Sequence, residues 1–410
     1  MNCRHCHSPL SSVFCDLQTC PPSNAMVKPT ELNHPEQYFP LKVFVCDSCR
    51  LVQVDELEKA GDIFNAEYTY FSSFSTSWLA HAKKYCDYMT ERFGFGTQSH
   101  IIEVASNDGY LLQYFREKGI PVLGVEPTAN TAEAAKKIGI SSIVDFFGSK
   151  LAKEQLADKG LQADLILGNN VLAHVPDIND FVKGVKIALK SNGVNTFEFP
   201  HLCSLVESNQ FDTIYHEHFS YLSLTAVKAI FEKQGLVLFD VQELPTHGGS
   251  LRIFAKHQEN TTHAIEPAVA AMLERERSLG VSTDAYYQGF QQHVDSIKYQ
   301  LWSFLIEQRK AGKKVIGYGA AAKGNTLLNY AGVKGNDLIQ FVVDASPHKQ
   351  NKYLPGARIP VFAKEKIAEY KPDYIIIFPW NLKDEITAQL AYVRDWGAKF
   401  VVFIPATQVL

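Results

Sequence analysis

No run of eighteen consecutive apolar residues occurs anywhere in the 410-residue chain, so nothing in it reads as a bilayer-spanning helix and no membrane partner is expected. The opening MNCRHCHSPL lacks the hydrophobic region of a secretory signal, so a cytoplasmic location is expected. Charge of one sign is not in excess either. The 40 Lys and Arg against 44 Asp and Glu leave a formal net charge of −4, which gives no electrostatic reason to bind nucleic acid. With no sign of export, the 8 cysteines point to a metal or to free thiols rather than to disulfides. No apolar seam announces a dimer, and a monomer is expected. What the chain does have is a globular balance, 46% hydrophobic and 20% charged, with 18 Tyr and 26 Phe that suit both cores and deep small-molecule sites. Its length suggests two to three domains.

The most informative stretch is residues 101–109, IIEVASNDG. Ile101, Ile102 and Val104 form a short buried strand. A small-residue loop follows, and Tyr110-Leu111-Leu112 opens a helix, which brings backbone N–H groups close to a ligand. The second strand, 121–125, ends in Glu126, placed to accept hydrogen bonds from a ribose. The loop is not GxGxxG, so a dinucleotide fits poorly. Glu103, the turn Ala105-Ser106-Asn107-Asp108-Gly109 and Glu126 together fit S-adenosylmethionine better. Further strands are predicted at 141–144, 163–168 and 193–199 with helices between them, after a helix over Trp78 to Phe93. That alternation implies a doubly wound sheet with ligands at the carboxyl ends of its strands. Asp145 and Phe146 after the third strand are candidates for the adenine. Asn169 and Asn170 after the fourth are placed to floor the site near a reactive methyl group.

Two Cys-x-x-Cys knuckles, Cys3/Cys6 and Cys46/Cys49, stand 39 residues apart. Two tight turns supply the four soft donors of a tetrahedral zinc site, and four protein ligands close it to catalysis. Cys15, Cys20, His5 and His7 are competing donors. Residues 67–75, EYTYFSSFS, read either as a packed linker or as a lid that offers Tyr hydroxyls to a polar substrate. Residues 211–221, FDTIYHEHFSY, are dense in groups that ionise or hydrogen-bond. His216-Glu217-His218 is not HExxH and shows no third ligand, so general base chemistry is favoured over a metal or a structural use. The pair Gly248-Gly249 permits close backbone approach, and Arg252 can hold a phosphate. Farther on, Lys314 to Thr326 repeats the strand–glycine-loop–helix device, with Lys323 in the loop and Asp344 ending the next strand. NAD has to be considered there, although Lys323 suits a point-charge contact to a phosphate-bearing ligand. Trp380 and Asn381 are candidates for a nucleobase contact.

The knuckles, EVASNDG, NNVLAHV, YHEHFSY, HGGSLR and YGAAAKGNTLLN, in this order, resemble the nucleotide-sugar C-methyltransferases that act on deoxysugars. The resemblance covers essentially the whole chain. It implies an α/β protein of three domains: a zinc-binding domain with the lid over 1–75, a class I Rossmann-like methyltransferase core over 76–262, and a Rossmann-like domain over 263–410 that helps hold the nucleotide-sugar. It implies S-adenosylmethionine and structural zinc as cofactors and a dTDP-linked 4-keto deoxysugar as substrate, methylated at C-3. It points to His218 as the base that makes an enolate, with Tyr215 and Glu217 orienting or polarising. Tyr70 and His174 are candidate donors to the enolate oxygen. Tyr68, Tyr221, Ser250, Arg252, Tyr318, Gly319, Lys323, Asn325, Asp344 and Trp380 are the expected substrate contacts. Rival readings are a sugar O- or N-methyltransferase and an NAD-dependent oxidoreductase built on the C-terminal glycine loop.

Overall fold

The computed structural model describes the chain from Met1 to Leu410 except residues 58, 60, 62, 63 and 65–69. Near the N-terminus, β1 (Ser12–Cys20), β2 (Phe39–Val45) and β3 (Val52–Val54) form an antiparallel ribbon. Leu41, Val43 and Val45 of β2 alternate inward, as a half-buried strand requires. The long gap between the two knuckles is filled by β1, β2 and their connection, with β3 just beyond the second knuckle.

The helix Thr76–Phe93 starts two residues before the predicted point. The Ser75 hydroxyl accepts from Trp78 N, and Gly94, left-handed at φ 68°, closes the last turn. Then come β4 (Ile101–Val104), β5 (Val122–Val125), β6 (Ser142–Ile143), β7 (Ala163–Asn169) and β8 (Leu189–Pro200), close to the five strands read from the sequence. Next is β9 (Ser220–Tyr221), followed by β10 (Leu236–Leu244) and β11 (Ser250–His257). The central sheet runs β10-β11-β8-β7-β4-β5-β6, parallel from β8 to β6, with β11 antiparallel to β8. β4 lies between β5 and β7, so the order reverses at its carboxyl end and opens a crevice there.

β9 does not join that sheet. It pairs with β3 and completes the N-terminal ribbon, in the order β1-β2-β3-β9. The ribbon therefore takes its last strand from the segment directly after His216-Glu217-His218.

The third sheet uses β12 (Val315–Tyr318), β13 (Val342–Val343), β14 (Val361–Phe362), β15 (Tyr374–Ile377), β16 (Lys399–Val402) and β17 (Gln408–Val409). Its order is β14-β13-β12-β15-β16-β17. One apolar core joins this sheet to the ribbon, with Phe14, Val43 and Val54 beside Val294, Leu301 and Ile376. A second joins the knuckles to the central sheet, with Cys3, Cys46 and Leu51 beside Ile102 and Leu172. The connecting helices divide between the cores. Pro267–Leu279 packs Val269 and Met272 into the central one, and Phe290–Lys310 packs Val294 and Leu305 into the C-terminal one. Among the described residues no helix is long and apolar enough to cross a membrane.

Candidate active site

At the end of β4 the backbone turns through Ala105 and Asn107, both left-handed at φ 56° and 49°, and reaches Gly109 at φ 78°. Non-glycine residues hold such angles only where their surroundings fix them. Here Ala105 N donates to Val125 O at 2.8 Å and Asn107 N to a Glu126 oxygen at 2.8 Å. Glu126 also accepts from Thr128 N at 2.9 Å and from the Thr128 hydroxyl. Three of its roughly four acceptor positions thus serve the chain, and one is left for the expected ribose.

Asn107 and Asp108 do something the sequence did not show: they latch the segment above. Ser72 N donates to Asn107 Oδ1 at 2.9 Å, Ser73 N to Asp108 Oδ2 at 3.1 Å, and Asn107 Nδ2 to Tyr70 O at 3.2 Å. Glu103 is sealed from solvent beside Tyr110, and burial holds its carboxyl well above the usual range. Neither Glu103 oxygen has a well-aligned donor, and Ser106 Oγ, Asp108 Oδ1, Asn169 Nδ2 and Asn170 Oδ1 are buried without partners. Orphaned polar atoms of this kind cost ~1–3 kcal/mol each. Gathered at the carboxyl ends of β4 and β7, they fit a polar cofactor such as S-adenosylmethionine. Gly124 of β5 lies against the same loop: a Cβ there would meet Ser106 Oγ at 2.3 Å. Asp145 and Phe146 lie exposed on the rim, with Phe146 N donating to Asp145 Oδ1 at 2.8 Å.

Tyr215 to His218 form a tight turn rather than a strand, with His218 N donating to Tyr215 O at 2.9 Å. The two histidines consequently part. His216 turns to the ribbon, where Nε2 lies 3.2 Å from Pro40 O and its ring meets Phe39 edge-on. His218 turns into the cleft. Its Nδ1 lies 2.8 Å from Thr213 O, a pure acceptor, so Nδ1 carries the proton. Nε2 therefore presents its lone pair, and the Tyr215 hydroxyl donates to it at 2.8 Å. Burial and the neighbouring His174 hold His218 well below the usual histidine range. The His174 ring stands edge-on to His218, centroids 4.6 Å apart, and burial pushes it down to about 4. Glu217 accepts from Asn24 Nδ2 at 2.6 Å. Tyr221 is buried behind His218, its ring 6.3 Å away. Tyr70 is about half exposed, at 47%, and Tyr68 lies outside the described residues.

Arg252 is not open to a phosphate. It is buried, with Nη2 at 3.0 Å from Glu198, whose side chain is fully buried. Glu198 also meets His81 at 2.9 Å and the Thr246 hydroxyl at 2.7 Å, and these partners bring it down to about 2 against its burial. Ser250 likewise serves its own loop, donating to Thr246 O at 2.9 Å. The network carries a residue that sequence reasoning left unassigned. His247, left-handed at φ 54°, accepts from Asn170 Nδ2 at 2.8 Å and faces the cleft. Its non-glycine left-handed backbone beside Gly248-Gly249 has no signature in sequence.

From the C-terminal unit, Lys323 Nζ donates to Asn381 Oδ1 at 2.9 Å and lies 4.3 Å from the Trp380 ring centroid. Trp380 Nε1 donates to Asp212 Oδ2 at 2.8 Å, and burial raises Asp212 to about 6. Trp380 is therefore a buried brace for Lys323 and Asp212 rather than an open nucleobase platform. Asn325 is buried and donates to Ser23 O at 2.6 Å. Asp344 holds the glycine loop from inside, accepting from Ala320 N at 2.7 Å and Ser346 N at 2.8 Å. Gly319, at φ 90°, and the buried Tyr318 complete that loop, where a Cβ on Gly319 would strike Pro379 at 2.6 Å. The loop's donors and its acid thus serve one another, an arrangement unlike a dinucleotide cradle.

The sulfurs of Cys3, Cys6, Cys46 and Cys49 all lie within 4.8 Å of one another, the donor set of a closed structural zinc site. Gln53 Nε2 donates to Cys3 Sγ at 3.2 Å, the outer contact such a thiolate takes. The competing donors go elsewhere. Cys15 and Cys20 are buried in the ribbon core, His5 Nδ1 meets Asn179 Oδ1 at 2.9 Å, and His7 is exposed.

Three family models match successive parts of the chain. Residues 3–64 match a zinc binding domain family, 78–241 a methyltransferase domain, and 245–405 the C-methyltransferase C-terminal domain. The chain is 36% identical over 375 residues to C-methyltransferase NovU of Streptomyces niveus, covering 92% of this chain and 88% of that one. A ubiquinone biosynthesis O-methyltransferase of Bartonella quintana is 33% identical over 94 residues, 23% of this chain and 38% of that one. Among solved structures, the PH0226 protein of Pyrococcus horikoshii aligns at 13% identity and a TM-score of 0.36, covering 46% of this chain and 95% of that one. The chain belongs to the C-methyltransferase family: it is an S-adenosylmethionine-dependent enzyme with a zinc-binding N-terminal domain.

Proposed function

We propose that the enzyme methylates C-3 of a nucleotide-linked 4-keto deoxysugar, dTDP-linked, with His218 as the base. The observation that carries this reading is the chain Thr213 O, His218, Tyr215. It presents a neutral imidazole lone pair to the cleft, the state that takes a proton from carbon. A ketone at C-4 acidifies the C-3 proton. His218 accepts that proton at Nε2, directly or through the Tyr215 hydroxyl it holds, and the electron pair moves onto the ketone oxygen as an enolate. His174, edge-on beside His218, is the donor to that oxygen, and such a donor contributes about 3 kcal/mol. S-adenosylmethionine, held by the loop from Glu103 to Gly109 with Glu126, Asn169 and Asn170, supplies an electrophilic methyl group. Lys323 brings a cationic head to which a diphosphate is attracted, braced by Trp380 and Asn381. Tyr318 and Gly319 shape the loop beneath it. The 263–410 unit accordingly holds the sugar nucleotide, the 76–262 unit the methyl donor, and 1–75 covers both, all within a monomer.

The test is a panel of 4-keto deoxysugar nucleotides in deuterium oxide without S-adenosylmethionine. Deuterium enters C-3 with the native chain and fails to enter with His218→Ala, which still binds S-adenosylmethionine. Products formed with the cofactor carry the methyl on carbon by mass spectrometry and NMR. Methylation on a sugar oxygen or nitrogen with no deuterium at C-3 overturns the proposal.

A further inference from the structure

The two histidines that pack edge-on, His174 and His218, are each tied, by a short path, to one half of the zinc site. His174 is followed by Val175 and Pro176. Pro176 O accepts from Arg4 Nη1 at 2.8 Å, and Arg4 sits inside the first knuckle, between Cys3 and Cys6. Three residues on, Asn179 donates from Nδ2 to Arg4 O at 3.2 Å and to His5 O at 2.9 Å, and its Oδ1 meets His5 Nδ1. His218 is followed by Phe219, whose carbonyl accepts from Val54 N at 3.1 Å, and by Ser220, which pairs with Gln53. Gln53 and Val54 lie on β3, just beyond the second knuckle. Arg4 closes the circuit: Nη2 donates to Val54 O, its own N–H donates to Gln53 Oε1 at 2.9 Å, and Gln53 Nε2 donates to Cys3 Sγ. Its guanidinium also lies 5.4 Å from the Phe219 ring centroid.

We infer that the zinc site is a clamp on the catalytic histidine pair, and that Arg4 is the positioning residue through which it acts. Arg4 touches neither cofactor nor cleft. Its planar fork reaches two carbonyls at once, Pro176 O on the His174 segment and Val54 O on β3, the strand that pairs with the residues after His218, and holds them at a fixed spacing. A metal-stiffened knuckle makes that spacing independent of side-chain fluctuation. Sub-ångström placement of a base matters because a displacement of about 1 Å costs on the order of 10²-fold in rate. The same connections explain why β9 leaves the central sheet to pair with β3.

The inference rests on the proposed roles of His218 and His174. Arg4→Met keeps the length of the stem and removes the fork. Zinc per chain by a colorimetric chelator, S-adenosylmethionine affinity by calorimetry, turnover, and the His218 tautomer by long-range proton–nitrogen NMR of histidine-labelled protein are read together. Expected are one zinc per chain, cofactor affinity within twofold of native, and kcat reduced ~10- to 100-fold with KM changed less than threefold. The single Nδ1–H tautomer of His218 gives way to a mixture. Arg4→Lys, which reaches one carbonyl, restores part of kcat. If Arg4→Met does not fold, Asn179→Ala removes the docking contact from the far side with the same readouts expected. Native kcat in a folded, zinc-loaded variant overturns the clamp. So does loss of kcat that follows loss of zinc with the tautomer intact. Native turnover by His218→Ala would remove the functional reading itself, whereas an inactive His218→Ala beside a native Arg4→Met removes the clamp alone.

Discussion

Glu198→Gln tests the buried charge network around Arg252 and His81. The side chain is fully buried and binds three partners: Arg252 at 3.0 Å, His81 at 2.9 Å and Thr246 at 2.7 Å. Arg252, itself buried, stands 4.7 Å from the Tyr85 ring centroid and has no other carboxylate among its described contacts. The amide keeps the shape and removes the charge, leaving a buried guanidinium without a counter-ion, which costs ~3–5 kcal/mol. The depressed pKa gives a second figure. A carboxyl held at about 2 against an ordinary 4.5 contributes about 3 kcal/mol above the ordinary value. The sign follows from the depressed pKa. The stabilisation is whole above pH 4.5 and is lost as pH falls toward 2, so the gap between native and variant narrows on acidification. Urea unfolding followed by tryptophan fluorescence is the assay, since Trp78 stacks on His81 with centroids 4.9 Å apart. Glu198→Gln/Arg252→Met should be less destabilised than the sum of its single changes. A loss under 1 kcal/mol at pH 7, or a gap that stays constant down to pH 3, refutes the reasoning.

Three further outcomes are expected. The acid limb of kcat/KM lies below the ordinary histidine value, because burial depresses His218, and activity stays flat from there through pH 8; protonation at Nε2 removes the lone pair only under more acidic conditions. A limb above pH 7 would show another base. Gly124→Ala puts a methyl 2.3 Å from Ser106 Oγ and 2.6 Å from Ser142 Oγ, so the loop must move; S-adenosylmethionine affinity should fall about tenfold by calorimetry, and an unchanged affinity would mean the loop yields freely. Cys46→Ser should lower zinc below one per chain and reduce melting temperature and turnover together, while His5→Ala leaves zinc stoichiometry native; the reverse pattern would place His5 in the metal set.

Local chemistry made part of this protein legible in one dimension. Alternating strand and helix signals gave the central sheet and its crevice, because apolar periodicity is a local property. The knuckles gave the zinc ligands, because tetrahedral thiolate ligation needs little beyond two tight turns. EVASNDG with Glu126 gave the cofactor, since a strand, a small-residue loop and a helix start are contiguous. The tertiary structure decided which polar groups are free to act. Arg252 and Asp344 look available in sequence, but one neutralises Glu198 and the other holds Ala320 and Ser346. His216 and His218 look equivalent, but a tight turn sends one to Pro40 and the other to Tyr215 and Thr213. His247 and Arg4 gain their roles only from partners 77 and 172 residues away, Asn170 and Pro176. Ligation and periodicity are written in neighbours along the chain, whereas the protonation state and freedom of a buried side chain are set by what long-range packing places against it.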